Sequence, residues 1–171
     1  MPYRLMLLIA QSATFQSLTG AADEDDALNY IRSYSIEDLT DAATATALPR
    51  CFVDYPENWR SKRLDRTNNF VPEGSLAVSF EFEIPDAQST PILQDEANWF
   101  SNQVGAIVSE MMANSGKGEP IAGLTHLFVK EFGVIEGPFR LAPEERLVAD
   151  ISDPANTPVE PAWAMTLEVL F

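Results

Sequence analysis

The sequence SLAVSFEFEI, residues 75–84, alternates large apolar side chains with small or acidic ones. On a β-strand, successive side chains point to opposite faces, so the apolar members share one face and the polar members share the other. One face of such a strand packs and the other meets water, which is typical of an antiparallel sheet covered on a single side. This stretch therefore predicts the central strand of the fold.

Helical periodicity appears in three other places. Residues 2–20 predict an amphipathic helix that starts at Pro2 and ends near Gly20, with one apolar face made of Leu5, Leu8, Ile9, Ser12 and Phe15. The acidic run 23–26 predicts the start of a short second helix, because carboxylates cap a helix N-terminus and complement its dipole. Residues 92–113 predict the longest helix, with a broad apolar stripe comprising Trp99, Phe100, Val104, Ile107, Val108, Met111 and Met112.

Strand-like segments at 50–55, 124–132 and 163–171 accompany the central strand. The chain has 171 residues and is 46% hydrophobic, enough to bury a core in one domain spanning 1–171. The elements together predict an α+β fold, in which a mostly antiparallel four-stranded sheet has helices packed on one face and long extended loops.

Charge and cysteine content narrow the classes of partner and compartment. A net charge of -15 and a pI near 4.2 disfavour binding to nucleic acid and to acidic membranes. No apolar run approaches the ~18 residues that span a bilayer, so we expect a cytoplasmic location. The single cysteine, Cys51, forms no internal disulfide, and its apolar neighbours predict a buried structural thiol.

The motifs for metal, phosphate or nucleophilic chemistry are weak. One histidine, His126, and one cysteine do not assemble the usual zinc ligand sets or a nucleophile–base pair. The run Gly116-Lys117-Gly118 follows a helix, whereas phosphate loops precede one, so it predicts a turn. We therefore expect no catalytic residues, no metal and no cofactor.

A possible carboxylate cluster comprises Glu81 and Glu83 on the polar face of the central strand, with Glu168 if the last strand pairs nearby. Paired carboxylates catalyse hydrolysis or bind a hard cation when one of them is desolvated. These glutamates lie on a face expected to be wet, which favours a subunit or partner contact over a hydrolase.

Basic residues concentrate between two predicted strands, in the long connection 56–73. Arg60, Lys62, Arg63 and Arg66 are four of the eleven Lys and Arg residues in the chain. A connection of this length predicts either an extended hairpin or an arm that contacts a partner. Acidic segments at 23–26 and 144–160 offer complementary charge on another copy, so we favour self-assembly over nucleic-acid binding.

The order of elements resembles phage tail-terminator and minor tail proteins. The resemblance covers most of the chain and includes the segment WFSNQVGAI at 99–107, the Gly137-Pro138 turn that follows a strand, and the closing strand 163–171. It implies a non-catalytic virion protein that forms a ring, in such families a hexamer, at the end of a tail tube. Its partners would be copies of itself, tail-tube proteins and head-connector proteins, and DNA would only pass through the lumen.

Two other classes stay open. A binding module for a small molecule or peptide would use the cleft between the sheet and the long helix. A hydrolase would use Glu81, Glu83 and Glu168. Both are less favoured than virion assembly, in which case the protein would be found in the host cytoplasm and in the virion.

Overall fold

The computed structural model describes residues 2–33, 50–54, 60–63, 70–84, 93–116, 128–141 and 162–171. These residues form both helices and strands. The helices are α1 (Pro2–Ala10), α2 (Ala13–Thr19), α3 (Glu24–Ala27) and α4 (Leu93–Asn114), with a 3-10 turn at Leu28–Tyr30. The strands are β1 (Ile31–Ser33), β2 (Arg50–Val53), β3 (Arg60–Arg63), β4 (Phe70–Glu73), β5 (Ser75–Glu83), β6 (Glu131–Arg140) and β7 (Ala162–Leu170). The predicted α+β class is confirmed.

The main sheet has five strands in the order β1-β2-β5-β7-β6. β1 runs parallel to β2, and the other neighbours are antiparallel. The prediction of a four-stranded sheet was therefore wrong in strand number and missed a parallel pair at one edge. β1 is only three residues long, which is too short for an alternating pattern to stand out. A separate antiparallel pair, β3 with β4, forms a two-stranded sheet.

β5 has the two faces that its alternation predicts. Leu76, Val78, Phe80 and Phe82 are at most 1% exposed, and every residue between them is partly buried. Burial of the apolar face is confirmed, but the opposite face is half-covered and not fully wet. Burying each such side chain stabilises the fold by about 1.5–3 kcal/mol, which makes β5 the centre of the core.

α4 begins and ends within one residue of the predicted helix. The apolar side chains that it buries follow the helical repeat and are Phe100, Val104, Ile107 and Met111. Met112 is 46% exposed, so the buried stripe is narrower than predicted. The ring of Phe82 lies 5.8 Å from that of Phe100 on α4 and 6.3 Å from that of Phe15 on α2, which places both helices on one face of the sheet.

The N-terminal segment forms two helices, where one was predicted. The predicted apolar face is buried throughout, and α2 ends at Gly20, which has a left-handed φ of 71°. The helix is interrupted before Ser12, whose Oγ accepts a hydrogen bond of 3.0 Å from the backbone N–H of Phe15 and so caps α2. The short helix predicted after the acidic run is confirmed as α3, and Asp23 caps it by accepting from the N–H of Asp26.

β6 differs from the prediction of a strand at 124–132. Residues 124–127 lie outside the described residues, and the observed strand runs from Glu131 to Arg140, through the Gly137-Pro138 pair that predicted a turn. Two register shifts and a positive φ of 98° at Gly137 let the strand continue past this pair. Proline is tolerated here because β6 lies at the edge of the sheet.

The last strand is confirmed as β7, paired along its whole length with β5. Its alternate residues Met165, Leu167, Val169 and Phe171 are buried. Among the helices of the described ranges, none combines the length and the apolar character that crossing a bilayer requires.

Candidate interaction surfaces

The three predicted acidic site residues do not form one cluster. Glu81 and Glu83 share a face of β5, and both are half-buried. Glu168 on β7 pairs with Ala77, four residues along β5 from Glu81. At a rise of about 3.4 Å per residue, Glu168 is offset from Glu81 by about 14 Å along the strand, beyond the ~5–9.5 Å that separates the carboxylates of glycosidases.

On β7 the neighbours of Glu81 and Glu83 are small, whereas on β2 the residue paired with Glu81 is Arg50. Ala164 pairs with Glu81 and Ala162 pairs with Glu83, and both alanines are buried. Farther along, the hydroxyl groups of Ser79 and Thr166 are 2.8 Å apart and hydrogen-bond across the two strands. Within the described ranges, no group of three or more His, Cys, Asp or Glu side chains is placed to hold a metal ion.

Three of the four predicted basic site residues lie on β3. Arg60 pairs with Glu73, Lys62 with Val71 and Arg63 with Phe70 in the antiparallel register of β3 and β4. We call this two-stranded sheet the β3–β4 ribbon. It belongs to a different sheet from the five main strands. Arg66 lies outside the described residues, as do Lys117 and His126.

Sequence reasoning missed the most exposed apolar surface of the described chain, which lies on β6. Val134 is 63% exposed and Ile135 is 58% exposed, and Phe139 is 37% exposed. The Gly137-Pro138 pair led to the prediction of a turn. The signal that favoured a strand was the density of β-forming residues on both sides of that pair, namely Phe132, Val134, Ile135 and Phe139.

Sequence reasoning also missed a buried carboxylate at the start of α4. Glu96 is 5% exposed, and its Oε2 accepts a hydrogen bond of 2.8 Å from Nε1 of Trp163. Nε of Arg140 lies 4.0 Å from the same oxygen, while Oε1 has no hydrogen-bond partner among the described residues. An acid in the first turn of a helix is so common that its sequence position did not distinguish it.

A second polar network joins α2 to α4. Oε2 of Glu110 accepts hydrogen bonds from Oγ of Ser12 at 2.6 Å and from the backbone N–H of Thr14 at 3.1 Å. Its Oε1 accepts from Oγ1 of Thr14 at 2.8 Å. Partial burial alone would raise the pKa of Glu110, but the hydrogen bonds from Ser12, Thr14 and Ala13 outweigh burial and lower it. The network is structural, because a carboxylate here satisfies the free N–H groups of a helix start.

Cys51 lies on β2 opposite Phe80 and is fully buried, as predicted. Burial, with a smaller contribution from the charge of Glu81, raises the pKa of the Cys51 thiol well above its ordinary value. Thiolate, not thiol, is the nucleophilic form, so the geometry does not favour catalysis by Cys51.

Comparison with known proteins adds no family. No protein-family model matches the chain, and no curated protein matches it. Among the described residues, the candidate interaction surfaces are the β3–β4 ribbon and the exposed strand β6.

Proposed function

We propose that this chain is a non-catalytic structural subunit of the tail-terminator type, which assembles with copies of itself into a ring that caps a tail tube. The observation that carries the proposal is the β3–β4 ribbon. Three of the four residues of β3 are cationic in a chain whose net charge is -15, and the ribbon is separate from the five-stranded sheet.

A two-stranded ribbon is at best marginally stable by itself in water. Packing against a neighbour offsets that weakness, so an arm of this kind suits a protein that functions within an assembly. Concentrated positive charge on an otherwise acidic chain favours contact with another copy, because opposite potentials steer association and fix its register.

The acidic balance also fits the partners that the resemblance to tail-terminator proteins suggests. A ring with an acidic lumen lets DNA pass without adsorbing, since like charges repel. The ring would contact a tail-tube protein on one side and a head-connector protein on the other, and the expected ring size is a hexamer. These partners place the working protein in the host cytoplasm and in the virion.

The alternative functions have less support. A ligand cleft between the sheet and α4 would need free volume, but the rings of Phe82 and Phe100 are only 5.8 Å apart there. A hydrolase based on Glu81, Glu83 and Glu168 would need carboxylates that converge, and the register of β5 and β7 offsets Glu168 from the other two.

The test is native mass spectrometry of the chain across a concentration series, with negative-stain imaging of any large species. We expect discrete rings in the parent chain and loss of these rings when Arg60, Lys62 and Arg63 are replaced together by Ser. Replacing Arg4 and Arg32 by Ser removes cations outside the ribbon and should leave assembly intact. A parent chain that stays monomeric at every concentration contradicts the proposal.

A further inference from the structure

β6 is an unusual edge strand. It pairs with β7 on one side, and no described strand pairs with it on the other. Every residue from Val134 to Arg140 is exposed. Val134 and Ile135 lie at the register shift between Val134 and Glu136, and they are 63% and 58% exposed, which leaves two adjacent apolar side chains of the strand bare.

Exposed apolar edges of this kind promote aggregation, because unpaired backbone groups and apolar side chains together form a template for another strand. Natural edge strands are usually protected by charge or proline, and β6 has both in Glu131, Glu136 and Pro138. This protection is partial, since Val134 and Ile135 stay open between the two glutamates. Such an edge can accept an added strand through its backbone and select it by its side chains.

We propose that the outer edge of β6 receives the β3–β4 ribbon of a second copy of this chain, an inference that rests on the proposed self-assembly. Charge complementarity identifies the occupant. β6 presents the exposed carboxylates Glu131 and Glu136, and the one cation of the strand, Arg140, lies 4.0 Å from the buried Glu96. Arg60, Lys62 and Arg63 make β3 the densest cationic segment of the chain. The same carboxylates repel a nucleic-acid backbone.

The ribbon and the edge satisfy each other's structural needs. The ribbon pairs with none of the five main strands, and adding it to β6 converts a marginal two-stranded sheet into part of a larger one. The opposite edge of the sheet is a poorer acceptor, because β1 has only three residues and Ile31 within it is buried. β6 has ten residues, and its regular part before the first register shift, Glu131–Val134, is already longer than β1.

This contact is heterologous, because different surfaces of the two copies meet. Each copy then offers its ribbon to one neighbour and its β6 edge to another, so the contact repeats from copy to copy. The copies form a closed ring when the rotation between neighbours allows it. A mutual pairing of β6 with β6 would instead stop at a symmetric dimer. The two arrangements therefore predict different behaviour when damaged copies are mixed.

The experiment uses two variants with complementary defects, followed by native mass spectrometry. The ribbon variant carries Arg60→Ser, Lys62→Ser and Arg63→Ser, and the edge variant carries Glu131→Lys and Glu136→Lys. Each alone should be monomeric at concentrations where the parent assembles. Their equimolar mixture should form a 1:1 dimer that does not grow, because one intact edge meets one intact ribbon.

A matched control replaces Asp54 and Asp95 by Lys, which changes the net charge by the same amount as the edge variant does, at two exposed positions away from β6. It should assemble like the parent. Circular dichroism and thermal unfolding check that every variant folds. A second edge variant, Val134→Ser with Ile135→Ser, should weaken assembly at least tenfold. Tyr3→Ser, at a residue that is 58% exposed on α1, should not.

Three results overturn the inference. An edge variant that assembles like the parent removes β6 from the interface while the proposed function stands. A ribbon variant that still dimerises alone, while the edge variant does not, shows that β6 pairs with a surface other than the ribbon. A parent chain that never assembles contradicts the proposed function itself and the inference with it.

Discussion

Trp163 on β7 donates a hydrogen bond of 2.8 Å from its indole Nε1 to Oε2 of Glu96 in the first turn of α4. The glutamate is buried, and Nε of Arg140 lies 4.0 Å from the same oxygen. The bond therefore ties the start of the long helix to the start of the last strand, and it satisfies one oxygen of a carboxylate that has little access to water.

Trp163→Phe is expected to lower the free energy of unfolding by about 1–3 kcal/mol, because it leaves the buried carboxylate without its donor. Urea unfolding followed by far-UV circular dichroism measures the change. Trp99→Phe on α4, at a partly buried indole, is the matched control and should lower the free energy of unfolding by less.

Adding Glu96→Met to Trp163→Phe should not lower the free energy of unfolding any further, because the poorly satisfied carboxylate is removed together with its donor. If the double variant is instead destabilised by the sum of both single changes, the hydrogen bond is not the link between the two positions.

Glu110→Gln is expected to lower the free energy of unfolding by about 1–2 kcal/mol near neutral pH, because a charged acceptor binds the hydroxyl and N–H groups of Ser12 and Thr14 better than an amide does. The native pKa of Glu110 is lowered, so its contribution is present above the ordinary glutamate value of about 4.3 and is lost as pH falls through the native pKa. The gap between parent and variant should therefore close in acid.

Chemical unfolding at a series of pH values tests this dependence. Asp95→Asn, which removes a carboxylate from the exposed first turn of α4, is the control and should show a smaller gap. A gap for Glu110→Gln that stays constant from neutral to acid pH would mean that the charge of Glu110 contributes nothing.

Gly137→Ala is expected to destabilise the chain by about 1–3 kcal/mol. A Cβ at this position would lie 2.8 Å from the carbonyl oxygen of Ala164. The φ of Gly137 is 98°, a backbone conformation that residues with a side chain rarely adopt. Gly133→Ala is the control on the same strand, where an added Cβ meets nothing within 4 Å, and it should be neutral or slightly stabilising. Thermal unfolding separates the two variants, and equal melting temperatures would contradict the close approach of β6 and β7 at Gly137.

The features that local sequence determines were predictable. Alternation in β5, the helical repeat of α4 and the cap at Asp23 each depend on neighbours within a few residues. The break between α1 and α2 was missed although the cap at Ser12 is local, and the bond from Ser12 to Glu110, 98 residues away along the chain, was beyond local reasoning.

The three glutamates predicted to form one acidic cluster lie apart for a related reason. The distance between Glu81 and Glu168 depends on the register of β5 and β7, which local composition does not specify. In β6, the turn preference of Gly137-Pro138 conflicted with the β-forming residues around it, and pairing with β7 decided the outcome. The edge that this pairing exposes was therefore beyond sequence reasoning.

The buried thiol of Cys51 gives the chain an internal reporter of its own opening. Cys51 lies on β2 between β1 and β5, at 0% exposure, and it is the only sulfhydryl group in the sequence. A thiol-specific reagent can reach it only when the sheet separates there, so the labelling rate measures how often the sheet opens. Slower labelling at higher protein concentration would then show that assembly holds the subunit closed, without any added probe.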